Sequence, residues 1–166
     1  MQWVASDLLR IYLQDHHAGA VGGLELAKRA ADSNSGWAHG AEIAELRDQI
    51  AADKEALEAI MDHLDAGPSK LKDGLGWTAE KLGRLKPNDH LFSQSPLSRL
   101  IELEGLVIGV TAKAALWEAL RGAEGDNVGG VDIAALAARA DSQLSRLKTL
   151  RRAAALEAFV AADSPA

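Results

Sequence analysis

Apolar residues recur at steps of three and four over four long blocks of this 166-residue chain. No block shows the period of two that strands need. The pattern predicts an all-α protein, a single four-helix-bundle domain over residues 1–166, with helices at about 3–31, 36–65, 96–122 and 131–162 and a short extra helix at about 69–85. In the second block Ile43, Leu46, Ile50, Asp53, Leu57, Ile60 and Leu64 follow alternating steps, so one aspartate stands on an otherwise apolar seam. In the fourth, Leu136, Ala140, Leu144, Leu147, Leu150 and Ala154 form a continuous stripe. Punctuation agrees with these spans. DSNSG supplies turn chemistry and Ser35 as a cap for the second helix, Asp65 to Pro68 close that helix, Ser95 and Pro96 suit the cap and first position of the third, and GDNVGG is the turn before the fourth.

Two helical blocks carry glycines four apart, Gly19 and Gly23 in DHHAGAVGGLELAKR and Gly105 and Gly109 in LIELEGLVIGVTAK. Each costs about 1 kcal/mol against alanine in a helix interior. The expected compensation is close approach of helices one and three where side chains are missing. About 30 residues separate helices two and three, far more than antiparallel neighbours require. Such a link can carry the chain the length of the bundle, setting helix three antiparallel to helix one. Gly105 and Gly109 then fall level with about positions 21 and 17, within a turn of Gly19 and Gly23.

Helical hairpins joined by a long crossover, together with the segment DHHAGAVGGLELAKR, resemble the ferritin-like superfamily, whose small uncharacterised bacterial members have a similar first helix. The resemblance implies a fold of ferritin-like topology. Carboxylate enzymes and iron stores of that group build a two-metal site from Glu-x-x-His pairs and lone glutamates. In this chain no glutamate is followed by histidine three places on; Glu25, Glu42, Glu55, Glu102, Glu104 and Glu118 lead instead to Lys28, Glu45, Glu58, Gly105, Val107 and Arg121. The resemblance therefore implies a member lacking the metal motif.

Composition narrows the classes further. Net charge is −6 with acids and bases interspersed, so no basic face exists for nucleic acid, and the run Arg146, Lys148, Arg151, Arg152 reads as a solvated helix face. There are no cysteines, which removes disulfides, thiolate metal sites and cysteine nucleophiles. The N-terminal MQWVASDLLRIY lacks a basic stretch leading into a long apolar run, and no window approaches about 18 uncharged apolar residues. The chain is read as cytoplasmic, without membrane attachment.

Polar residues on predicted core faces are the candidates for chemistry. His16 falls on the seam of helix one, level with about residue 51 of helix two, close to Asp53. The same counting brings Thr111, Lys113 and Asp141 near that height. One reading is a metal site for iron, manganese or zinc, with His16 and Asp53 as first ligands and Glu104 or Asp141 completing it. The simpler one is a histidine–carboxylate hydrogen bond that fixes register, with no catalytic residue and no cofactor. His17 points about 100° away from His16 and reads as exposed. His39 and Glu42 share a face, but an acid in a first turn also complements the helix dipole. Trp3, Trp37, Trp77 and Trp117 are spread one per helical segment, as core packing gives. Ser93, Ser95 and Ser98 have no histidine–acid pattern nearby, and Gly129-Gly130 is a turn.

Three functions fit these residues. The favoured one is a non-catalytic bundle acting by self-association or partner binding, with a homodimer as the expected assembly. The second is a degenerate ferritin-like metal binder or oxidoreductase using the mid-bundle residues. The third is a carrier of a small apolar ligand, with a cavity beside the glycines lined by Leu13, Val107 and Val110.

Overall fold

The computed structural model describes residues 7–67 and 95–160. Among them four helices form, α1 (Asp7–Ser33), α2 (Gly40–His63), α3 (Pro96–Glu124) and α4 (Ile133–Phe159), with a two-residue strand pair, β1 (Asn127–Val128) and β2 (Val131–Asp132), between α3 and α4. The expected short helix at 69–85, Trp3, Trp77 and Ser93 lie outside the described residues, as do the outer ends predicted for the first and last helices. No helix among the described residues is long and apolar enough to cross a membrane.

Cross-helix bonds fix the directions. His17 bonds to Glu58, and Gln14 to the carbonyl of Ala66, so α1 and α2 are antiparallel. Ser33 bonds to Glu102 at the end of α1 where α3 begins, while His16 and Lys113 meet on one cavity wall farther along, so α1 and α3 are antiparallel. Arg99 with Glu157 and Lys113 with Gln143 do the same for α3 and α4, and Arg146 with Glu42 and Arg139 with Asp53 for α4 and α2. It follows that α2 and α3 run parallel, starting at the same end.

The core is the meeting of four apolar stripes. The whole seam of α2 from Ile43 to Leu64 is buried, Asp53 included. Leu13 of α1, Leu103, Leu116, Trp117 and Leu120 of α3, and Ile133 and Leu147 of α4 close on it. Burial of each large side chain contributes roughly 1.5–3 kcal/mol. Along α4 the buried set is Ile133, Leu136, Ala140, Gln143, Leu147, Leu150 and Ala154, while Leu144 is half-buried at its flank.

Two local features differ from expectation. Helix two starts at Gly40 rather than beside Ser35, because residues 34–39 are still turning: the Trp37 N–H donates to the Asn34 carbonyl and the Gly40 N–H to that of Trp37, each at 2.9 Å. A methyl group at Gly40 would sit 2.5 Å from the Asn34 carbonyl oxygen, so the chain returns on itself too closely for a side chain there. The turn is tied down by the Trp37 indole N–H, which donates to Glu157 of α4 at 2.8 Å, and by the Arg99 guanidinium 4.4 Å above the ring. Helix four starts at Ile133 rather than near Val131, because Val131 and Asp132 are drawn into the hairpin. Gly129 and Gly130 have φ of 58° and 87°, the positive values that a primed two-residue turn requires. Such short strands carry no periodicity to read. The Ser95 cap at helix three stands as expected, its hydroxyl accepting from the Ser98 N–H at 3.1 Å with Pro96 behind it.

Candidate functional site

Gly19 and Gly23 of α1 and Gly105 and Gly109 of α3 line one partly enclosed cavity of about 110 Å³ between α1, α2 and α3. α1 and α3 pack as antiparallel neighbours, with Gly105 close against Leu26 of α1, but the other three glycines are not covered by the facing helix. A methyl group at Gly19, Gly23 or Gly109 would meet nothing within 4 Å, and at Gly105 it would meet only the tip of Leu26, at 2.8 Å. At Gly19, Gly23 and Gly109 the missing side chains leave space, whereas at Gly105 the space is taken by Leu26 of α1. Gly19, Gly109 and Ala112 are exposed and form the rim, whereas Ile50, Leu57, Leu106, Val110, Leu116 and Trp117 are buried beneath it. Of the lining expected from sequence Val110 is present; Leu13 is packed in the core and Val107 stands outside the wall.

Four polar residues also line it: His16, Asp53, Lys54 and Lys113. Asp53 is saturated by protein. Its carboxylate accepts from the Arg139 Nε at 2.7 Å, from the Gln143 amide at 2.9 Å and from the Lys113 ammonium, which also donates to Gln143 Oε1 at 2.6 Å. Burial pushes the Lys113 ammonium below the ordinary lysine value, against the pull of Asp53. Lys54 is engaged with Glu58, which also takes the His17 ring at 2.8 Å, and these two bonds hold the Glu58 carboxyl below its usual value. His17 is thus a partnered, mostly buried side chain, contrary to the exposed position expected of it.

His16 faces the same cavity as Asp53, yet among the described residues no hydrogen bond joins them. Its ring makes an edge contact with Tyr12 at 4.5 Å, and burial lowers its pKa below 6.5, so the neutral imidazole is the folded form at neutral pH. Of the other candidates for a metal, Glu104 pairs with Arg151 on the α3–α4 flank at 2.8 Å and Asp141 is exposed, one position past the buried stripe of α4. The structure does not bring the four together, and no group of three or more His, Cys, Asp or Glu among the described residues is placed to hold an ion. Two cations already flank Asp53, an arrangement that repels a third. His39 packs edge-on against Trp37 and Glu42 is taken by Arg146.

Trp117 supplies the most pointed polar feature of the site. It is fully buried and lines the cavity, and its indole N–H has no acceptor among the described residues. Leaving such a donor unpaired costs about 1–3 kcal/mol. Gln143 and Arg139 were not singled out from the sequence, although Gln143 completes the alternating steps 136, 140, 143, 147, 150, 154 that mark the true seam of α4.

Compared with protein-family models, curated proteins and solved structures, the chain matches none.

Proposed function

We propose that the protein is a non-catalytic binder of a small, mainly apolar molecule, held inside the bundle between α1, α2 and α3. The observation that carries this reading is the cavity at Gly19, Gly23, Gly105 and Gly109, where three of the positions, Gly19, Gly23 and Gly109, forgo helix stability with nothing within 4 Å to fill the place of their side chains. The charged groups on its wall are engaged with one another rather than presented as an acid–base pair. Parallel α2 and α3 support a ferritin-like bundle as the scaffold, one that uses the mid-bundle space for a ligand rather than for metal. Titration with benzene, followed by amide NMR, tests the reading. Saturable shifts centred on Gly19, Gly23, Gly105 and Gly109 are expected; a titration that moves none of them refutes it.

A second reading is self-association through the outer face of α3. Leu97, Ile101 and Ile108 are 46%, 45% and 71% exposed, and Leu156 and Phe159 of α4 lie level with the first two. Glu104, between Ile101 and Ile108 on this face, has its charge paired with Arg151. A second copy, itself at −6, approaches most easily along such a face. Sedimentation equilibrium at twice the chain mass of 17.5 kDa supports a dimer; a single-chain mass at high concentration refutes it.

A further inference from the structure

We infer that occupancy of this cavity is coupled to a proton on His16: the apolar molecule is held while the imidazole is neutral and released when the ring is protonated. The inference rests on the binding reading above and adds its regulation. Position comes first. His16 lies three, four and seven residues before Gly19, Ala20 and Gly23, so it shares their face of α1 and stands on the same cavity wall. Its ring meets the edge of Tyr12 at 4.5 Å and has no hydrogen-bond partner among the described residues. There the only unpaired side-chain polar atom sealed from solvent is the Trp117 indole nitrogen, so both His16 nitrogens are reached by water.

Charge is the second part. Asp53 and Lys54 of α2 and Lys113 of α3 stand across the cavity, with Arg139 of α4 on Asp53 and Asp15 beside His16 on its own helix. Asp53 is already shared by Lys113 and Arg139, and Lys54 is held by Glu58. An imidazolium here is one more cation on a wall whose carboxylate is taken, and water is what stabilises it. An apolar occupant replaces water beside the ring, which penalises the charged form more than the neutral one. Burial alone already lowers the pKa of this ring, and the occupant acts in the same direction. By linkage, the factor by which the ligand disfavours the proton is the factor by which the proton weakens the ligand. His17 supplies the contrast, since it is bonded to Glu58 at 2.8 Å and does not line the cavity.

Cyclopentane is the probe, because the face of an aromatic ring attracts an imidazolium and would mask the penalty. Its affinity for the full chain is read from amide shifts at about pH 8 and about pH 5, on either side of the usual histidine range. A roughly tenfold loss at the lower pH is expected, retained in His17→Gln and absent from His16→Gln. The ring protons of His16 give the reciprocal readout: cyclopentane should move their titration midpoint to lower pH. If His16→Gln does not fold, that midpoint decides alone. Equal affinity at the two pH values, a loss that survives His16→Gln, or an unmoved midpoint overturns the inference and leaves the cavity reading intact. Binding at neither pH overturns both.

Discussion

Replacing the cavity glycines by alanine should stabilise the protein, the opposite of what close helix packing would give. At Gly19, Gly23 and Gly109 an added methyl meets nothing within 4 Å, so the helix-propensity gain of about 0.8–1 kcal/mol per site is realised without strain. The three single gains should nearly add, to roughly 2.5–3 kcal/mol, or about 5–12 °C in melting temperature for a domain of this size. Gly105→Ala is the internal control. Its methyl would stand 2.8 Å from Leu26, whose tip must move, so its gain should be smaller or reversed. Each methyl removes roughly a water's share, about 30 Å³, from the cavity. Of about 110 Å³, too little remains after three to hold a ring, so the stabilised triple variant should lose benzene binding. Urea titration gives the stabilities, with an unchanged slope confirming that the folded state alone has altered. Destabilisation of Gly19→Ala or Gly23→Ala by about 1 kcal/mol or more, the size of the helix-propensity difference itself, would refute the reasoning, since it would mean that the two backbones touch.

Asp53→Asn should cost about 3–5 kcal/mol, because it strands the buried Lys113 ammonium beside Gln143, and the loss is read from the urea midpoint. His16 keeps a neutral ring below pH 6.5 in the folded state, where the unfolded chain takes up a proton. The unfolded state then binds more protons, so stability should fall as pH drops through the window below 6.5, with Asp15 beside the ring and Asp53, Lys54 and Lys113 across the cavity. His16→Gln should flatten that part of a stability–pH curve. Arg99→Ala removes bonds to Asn34 and Glu157 and the contact over Trp37, and should cost about 2 kcal/mol by thermal denaturation.

The elements carried by periodicity were legible in the chain. The seam from Ile43 to Leu64, with Asp53 buried within it, follows from steps of three and four, and the Ser95-Pro96 start of α3 from cap chemistry. Features set by tertiary contact were not. The late start of α2 depends on a turn held by Glu157 and Arg99, which lie about 60 to 120 positions away. The strand pair has two residues a side, too few for any period. Residue counting puts both His16 and Lys113 near the height of Asp53, but spacing gives heights and not the direction in which a long side chain reaches, so the Lys113 bond to Asp53 is not readable from it. On α4 hydrophobicity points to Leu144, whereas the regular steps of four and three point to Gln143, which is the buried one. The glycines show the deepest limit: a sequence records that side chains are missing, and only the arrangement of three helices tells whether the gap is closed by a neighbour or left open.

The existence of a binding cavity at those glycines is tested most directly by crystals of the protein under xenon pressure, since xenon enters apolar cavities of this size without needing a polar partner. A xenon peak is expected between Gly23, Gly105 and Gly109. Helices α1 and α3 in contact at those glycines, with no xenon between them, would contradict it.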